Sequence, residues 1–110
     1  MRQWHVAPKH LCRQHLLGEH VEHHMFVGCI NKGKSIEGYI NDGLVEPSTL
    51  SERHDELVRE MEARGYSHKS PLPSYQLPDG MGVGRVDREG NIQELLARCP
   101  FCRERISATG

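Results

Sequence analysis

The segment GCINKGKS, residues 28–35, carries every fixed position of the phosphate-loop pattern G-x-x-x-x-G-K-[ST]. A phosphate loop would impose an α/β fold, because the pattern binds phosphate only where a buried strand runs in and a helix leaves. The flanks decide against it. The preceding residues belong to a helical pattern, and the following IEGYINDGL (36–44) is broken by Gly38 and Gly43. No apolar strand ending in aspartate exists elsewhere to hold magnesium. The match is accidental: a Gly-rich connector with two exposed lysines.

Working outward, three helices are expected and no strand. The first covers residues 8–26, PKHLCRQHLLGEHVEHHMF, with Pro8 in its first turn. At 100° per residue Leu11, Leu17, Val21 and Met25 form an apolar arc, beside a stripe of His15, Glu19, Glu22 and Phe26. The second, STLSERHDELVREMEARG (48–65), can be capped by Ser48 or Ser51 and ends at Gly65. Its apolar face joins Leu50, Leu57 and Met61 with His54, flanked by Val58. A third, shorter helix, NIQELLARC (91–99), starts on Asn91 with Glu94 three residues on, close to a capping box. HKSPLPSYQLPDGMGVG (68–84) reads as a long Pro/Gly loop. The expectation is an all-α fold: one domain over residues 1–110, with three main helices, that loop, and a short Cys-x-x-Cys tail.

With 110 residues the chain is too short for a doubly wound nucleotide-binding sheet. No apolar run approaches the roughly 18 residues that span a bilayer, and no signal-peptide core follows the N-terminus. A cytoplasmic protein is expected. Net charge is −1, so no global basic field announces a nucleic-acid partner. Residues 1–36 are nevertheless locally basic: Arg2, Lys9, Arg13, Lys32 and Lys34 face only Glu19 and Glu22. Such a face can bind phosphates.

Two clusters can carry chemistry. QHLLGEHVEHH (14–24) packs four histidines and two glutamates into eleven residues. It is not H-E-x-x-H, and its one i, i+4 pair, His20 and His24, lies on the outer arc away from Glu22; the helix reads first as a solvated polar face. Glu22 sits at the edge of the core arc, where partial burial tunes a carboxylate. The second cluster is CPFC (99–102). Cys99 and Cys102 supply two ligands of the four a structural zinc needs, so Cys12, Cys29 or a histidine would have to complete the site. The pair also fits a redox dithiol or two packing cysteines.

RQHLLGEHVE (13–22) followed by RHDELVREMEARGYSHK (53–69) resembles the pyrimidine-dimer DNA glycosylases of the ultraviolet-repair endonuclease V family. That family opens with a helix of the form Q-H-L-x-x-E-x-x-E, here Gln14, His15, Leu16, Glu19 and Glu22. It continues with R-x-x-E-L and R-G-[YF], here Arg53, Glu56, Leu57, Arg64, Gly65 and Tyr66. The likeness covers residues 1–72. It implies a compact helical enzyme that cuts the glycosidic bond of a damaged base and then nicks the strand at the abasic sugar. The implied nucleophile is the α-amine of residue 1, so Met1 should be retained, as the bulk of Arg2 favours. Glu22 is the implied essential carboxylate. Arg2, Gln14 and His15 are implied DNA contacts, with Lys32 and Lys34 added on charge grounds. The implied partner is double-stranded DNA with a damaged or abasic site, bound by a monomer. Two departures stand out: Val21 and Met25 replace arginines around the glutamate, and RCPFCRERI (98–106) replaces an aromatic, basic tail.

The implied chemistry is physically sound and requires no metal. An α-amine of reference pKa about 7.7–8.0 is roughly one-third unprotonated near pH 7.5, against about 0.1% of a lysine. It can attack C1′ and displace the base, and a carboxylate can stabilise the cationic sugar and take the 2′ proton. Two alternatives keep the fold: a zinc-stapled nucleic-acid-binding protein without catalysis, and the same chemistry on a modified base.

Overall fold

The computed structural model describes residues 1–68 and 70–109. Among these residues there are five α-helices, α1 (Arg13–Asn31), α2 (Glu37–Asn41), α3 (Leu50–Ala63), α4 (Arg88–Arg98) and α5 (Pro100–Thr109), with short 3-10 turns before α1 (Pro8–His10), before α3 (Pro47–Thr49) and before α4 (Met81–Val83). There is no strand among the described residues, as expected. None of the helices is long and apolar enough to cross a membrane.

The opening motif is the end of a helix. α1 runs through Asn31, and the chain then closes with Gly33 N–H on the Ile30 carbonyl (3.1 Å) and Lys34 N–H on Cys29 (2.9 Å). This paired closure requires a left-handed residue, which Gly33 supplies at φ +69°. The "phosphate-loop" glycine is therefore a helix stop. Gly65 repeats the device after α3 at φ +86°.

Three expectations are corrected. α1 starts at Arg13, not Pro8, because Cys12 caps it: its sulfur accepts from His15 N–H at 3.5 Å. α4 starts at Arg88, capped by Asp87, whose carboxylate accepts from Gly90 N–H at 2.9 Å. Asn91 thus lies inside the helix, its side chain buried and spent on tertiary bonds. The expected Cys-x-x-Cys tail is a further helix, α5, with Pro100 at its first position.

The face of α1 is the larger correction. Val21 and Met25 are about half exposed, while Glu19, His20 and His23 are buried. Of the expected apolar arc, Leu11 is buried and Leu17 packs beside it, but Val21 and Met25 point outward, while the supposed solvated face points inward. The reason is a polar layer across the middle of the molecule. Leu16 joins one apolar cluster with Trp4, Val6, Leu11, Leu57, Met61 and Leu95. Phe26, Val27 and Ile30 join another with Ile36, Val45 and Leu50. Between these two levels α1 presents Glu19 and His23, and α3 presents Arg53 and His54, all buried. Arg53 grips Glu19 through two of its three guanidinium nitrogens, Nε to Oε2 at 2.6 Å and a terminal nitrogen to Oε1 at 2.9 Å. Burial pushes the Glu19 carboxyl up. The guanidinium, with the backbone N–H groups of Trp4 and His5, pulls it back toward the charged form. On α3 the expected face, Leu50, His54, Leu57 and Met61, is the buried one.

The long loop is laid against the helices. Tyr75 Oη accepts from Ser51 N–H (3.1 Å), Asn31 donates to the Ser74 carbonyl (3.1 Å), and Leu72, Tyr75, Leu77 and Met81 pack on the second cluster.

Breaking the ion pair from one side leaves a buried guanidinium with only the longer, more exposed contact to Glu56 (3.7 Å) as counter-charge. Glu19→Gln is expected to lower unfolding free energy by about 3–5 kcal/mol in urea titrations. The double variant Glu19→Leu/Arg53→Met, which removes both charges, should recover most of that loss.

Candidate active site around the N-terminal amine

The chain start is held by its backbone, not left to fray. Gln3 is fully buried: its N–H donates to the Leu44 carbonyl (2.7 Å), and its Oε1 accepts from Glu46 N–H (2.6 Å). Its amide nitrogen meets His23 Nε2 at 2.9 Å. The other ring nitrogen of His23 lies 2.8 Å from the Glu19 carbonyl, which can only accept. His23 therefore carries its proton on Nδ1 and accepts from Gln3. Burial pushes this histidine down to about 3, so it stays neutral. One residue on, the Trp4 carbonyl accepts from Asn91 Nδ2 at 2.7 Å.

This anchoring sets the Met1 amine 3.8 Å from Oε1 of Glu22, 21 positions along the chain. The side chains of Met1 and Glu22 are only partly exposed, 12% and 27%. Burial raises the pKa of Glu22 first; the Met1 amine opposes it, Glu19 adds to it, and the Arg2 N–H opposes it. An amine beside a half-buried carboxylate is the pairing that amine nucleophiles and proton transfer need.

Grooves open on both sides of the pair. One, of about 630 Å³, is lined by Arg2, Trp4, Gln14, His15, Val21 and Glu22 among others. The other, of about 390 Å³, brings Met1, Val21, Met25, Lys32 and Lys34 together. The structure thus gathers the residues singled out from sequence around one ridge, with three qualifications. The side chain of Arg2 is engaged internally: it lies 3.8 Å over the Trp4 ring, and donates to Glu94 Oε2 (2.8 Å) and Asn91 Oδ1 (2.6 Å). His15 lines the groove but turns Nδ1 toward sulfur. Lys32 and Lys34 are exposed at the far end, past the close of α1.

The sulfurs form a second centre. Cys12, His15, Cys99 and Cys102 offer four ligand atoms within 4.8 Å of one another. His15 Nδ1 lies 3.2, 3.6 and 3.4 Å from the sulfurs of Cys12, Cys99 and Cys102, and the Cys12 and Cys99 sulfurs are 3.9 Å apart. A tetrahedral zinc with bonds of about 2.3 Å to sulfur and 2.0 Å to nitrogen separates its ligands by about 3.8 Å (S···S) and 3.5 Å (S···N). These four residues fit that shell. Cys12 and Cys102 N–H donate to the sulfurs of Cys102 (3.2 Å) and Cys99 (3.4 Å) respectively, as groups orienting thiolates would.

Sequence reasoning missed Gln3, Trp4, Asn91 and Glu94. The near capping box at Asn91 and Glu94 concealed that both side chains serve the N-terminus. Of Cys12 and His15, the first was one of several completions, and the second was expected only on DNA.

A family model described as pyrimidine dimer DNA glycosylase matches residues 1–74. No curated protein and no solved structure matches the chain.

Proposed function

Since the chain belongs to the pyrimidine dimer DNA glycosylase family, we propose that it removes a base at damaged DNA with the Met1 α-amine as nucleophile and Glu22 as its acid–base partner, then cleaves the abasic strand. The observation that carries this reading is the 3.8 Å approach of the amine to Glu22 across 21 residues of chain.

The unprotonated amine attacks C1′, the N-glycosidic bond breaks, and the base leaves with a proton. Ring opening converts the adduct to an imine between the Met1 nitrogen and C1′. Glu22 stabilises the positive charge on sugar and imine, and its carboxylate takes the 2′ proton. Expulsion of the 3′ phosphate completes β-elimination, and hydrolysis of the imine returns the amine. The target nucleotide, or its neighbour, has to leave the stack for C1′ to be reached, at a cost that a lesion lowers. Lys32 and Lys34 beside Met1, with Gln14 and His15 on the opposite groove, are the phosphate and sugar contacts in this reading. Val21 and Met25 present apolar surface to the bases. Met1 acts untrimmed and unformylated.

Borohydride reduction of the protein on an abasic-site duplex should trap a covalent adduct that maps to the Met1 nitrogen. A Glu22→Gln variant should cleave about 10²–10⁴-fold more slowly. A retained two-residue N-terminal extension should abolish the adduct; an extended protein that traps as well as the natural one would refute Met1 as nucleophile.

A zinc ion in the Cys12, His15, Cys99 and Cys102 shell is the second part of the proposal, supported by the inter-ligand distances and the N–H donors to sulfur. It would staple α5 to the start of α1 and take no part in catalysis. Zinc-stapling and catalysis are compatible, and the amine–carboxylate pair favours the enzyme over a binding-only protein. Treatment with a mercurial reagent should release one zinc per chain into a colorimetric chelator and lower the melting temperature. Native protein with four freely titrating thiols and no releasable metal would contradict the staple.

A further inference from the structure

On the opposite flank of α1 from Glu22, four imidazoles meet. His20 and His24 come from successive turns of α1, His54 from α3, and His68 from the segment just beyond α3. One ring nitrogen of each lies within 4.8 Å of the others. Ring centroids of His20 stand 5.0, 4.9 and 4.9 Å from those of His24, His54 and His68, and His54 to His68 is 5.4 Å. His20 and His54 are more than nine-tenths buried. The Nε2 atom of every one of the four is buried and has no hydrogen-bond partner.

That last fact has to be explained. Buried polar atoms are almost always satisfied, and a single orphan costs free energy. Four orphans converging from three parts of the chain are not a packing accident of one side chain. Stacking neutral rings does not satisfy them, since an imidazole nitrogen needs a donor or an acceptor aimed at it and none meets these four Nε2 atoms. One species satisfies all four at once: a cation that accepts four lone pairs.

We propose that His20, His24, His54 and His68 form a binding site for a divalent transition-metal ion of the imidazole-preferring kind, zinc first among them. The donor set holds no carboxylate and no thiolate, which argues against calcium and magnesium and for zinc, copper or nickel. The i, i+4 spacing of His20 and His24 puts two donors on one helix face. Four protein ligands close a tetrahedral shell and leave no position for water or substrate, the arrangement of a structural site. Nitrogen–nitrogen edges around such a zinc are about 3.3 Å, so small ring rotations bring the four atoms in. The ion would lock α1 to α3 and to the start of the long loop. It would fix the rotation of the helix whose other side carries Glu22. This site is separate from the sulfur shell in ligands and in place, and does not rest on the proposed chemistry.

The test uses the untagged full chain, stripped with chelator and reloaded with cobalt(II), read by elemental analysis and visible absorption. Wild type should hold two equivalents. His68→Gln, whose position lies outside the helices, should hold one, with sulfur-to-cobalt charge transfer retained. Cys99→Ser/Cys102→Ser should hold one, with weak ligand-field bands and no charge transfer. Circular dichroism checks that each variant is helical. Should the cysteine variant not fold, wild type against His68→Gln alone decides, by the loss of one equivalent. Equal cobalt content in wild type and His68→Gln, or no binding by a folded cysteine variant, would overturn the site.

Discussion

The Glu19–Arg53 ion pair is the constraint on which the other arrangements depend. Two charges buried between apolar layers are tolerable only if each is fully matched, and here the guanidinium meets both carboxylate oxygens. The same carboxylate is favoured in its charged form by the N–H groups of Trp4 and His5. One buried charge therefore holds α1, α3 and the N-terminal segment together. Met1 lies three residues before Trp4, and Glu22 three residues after Glu19. Both partners of the candidate site are short, rigid extensions of the anchor, so its 3.8 Å spacing is fixed from below.

The part of the chain beyond the family match completes this scaffold. Asn91 bonds both the Trp4 carbonyl and Arg2, and Glu94 bonds Arg2 and Arg98. Cys99 and Cys102 meet Cys12 and His15 at the N-cap of α1. Apart from the Glu94–Arg98 pair, each of these contacts is made to residues 2–15. The C-terminal helices thus serve as a brace for residues 2–15.

Legibility from sequence followed the range of the forces involved. The helix end at Gly65 and the buried face of α3 rest on local propensity and a clean apolar stripe, and both were readable; the end of α1 was not, since the expected helix stopped at Phe26 while α1 runs on to Asn31 before Gly33 closes it. The partners Glu22 and Met1 were readable through resemblance, since nothing local marks a chain terminus as functional. The face of α1 was not readable. Its apolar residues Val21 and Met25 outnumber any apolar stripe on the buried middle of the helix, and the groups that make Glu19 and His23 buriable, Arg53 and Gln3, stand 34 and 20 residues away. The sulfur shell failed for the same reason, Cys12 and Cys99 standing 87 positions apart.

A single turn of α1 shows why no amphipathic pattern survives there. Glu19 enters the ion pair, His20 enters the imidazole cluster, Val21 meets solvent between two grooves, and Glu22 faces the terminal amine. Four successive side chains point about 100° apart, and each direction meets a different chemical environment. A helix serving one hydrophobic core can exchange apolar residues freely along its stripe. A helix serving four environments has no interchangeable positions in that turn, and its sequence becomes polar inside and apolar outside. The inversion that defeated the hydrophobic reading is thus the mark of a turn that meets a different chemical environment on each side.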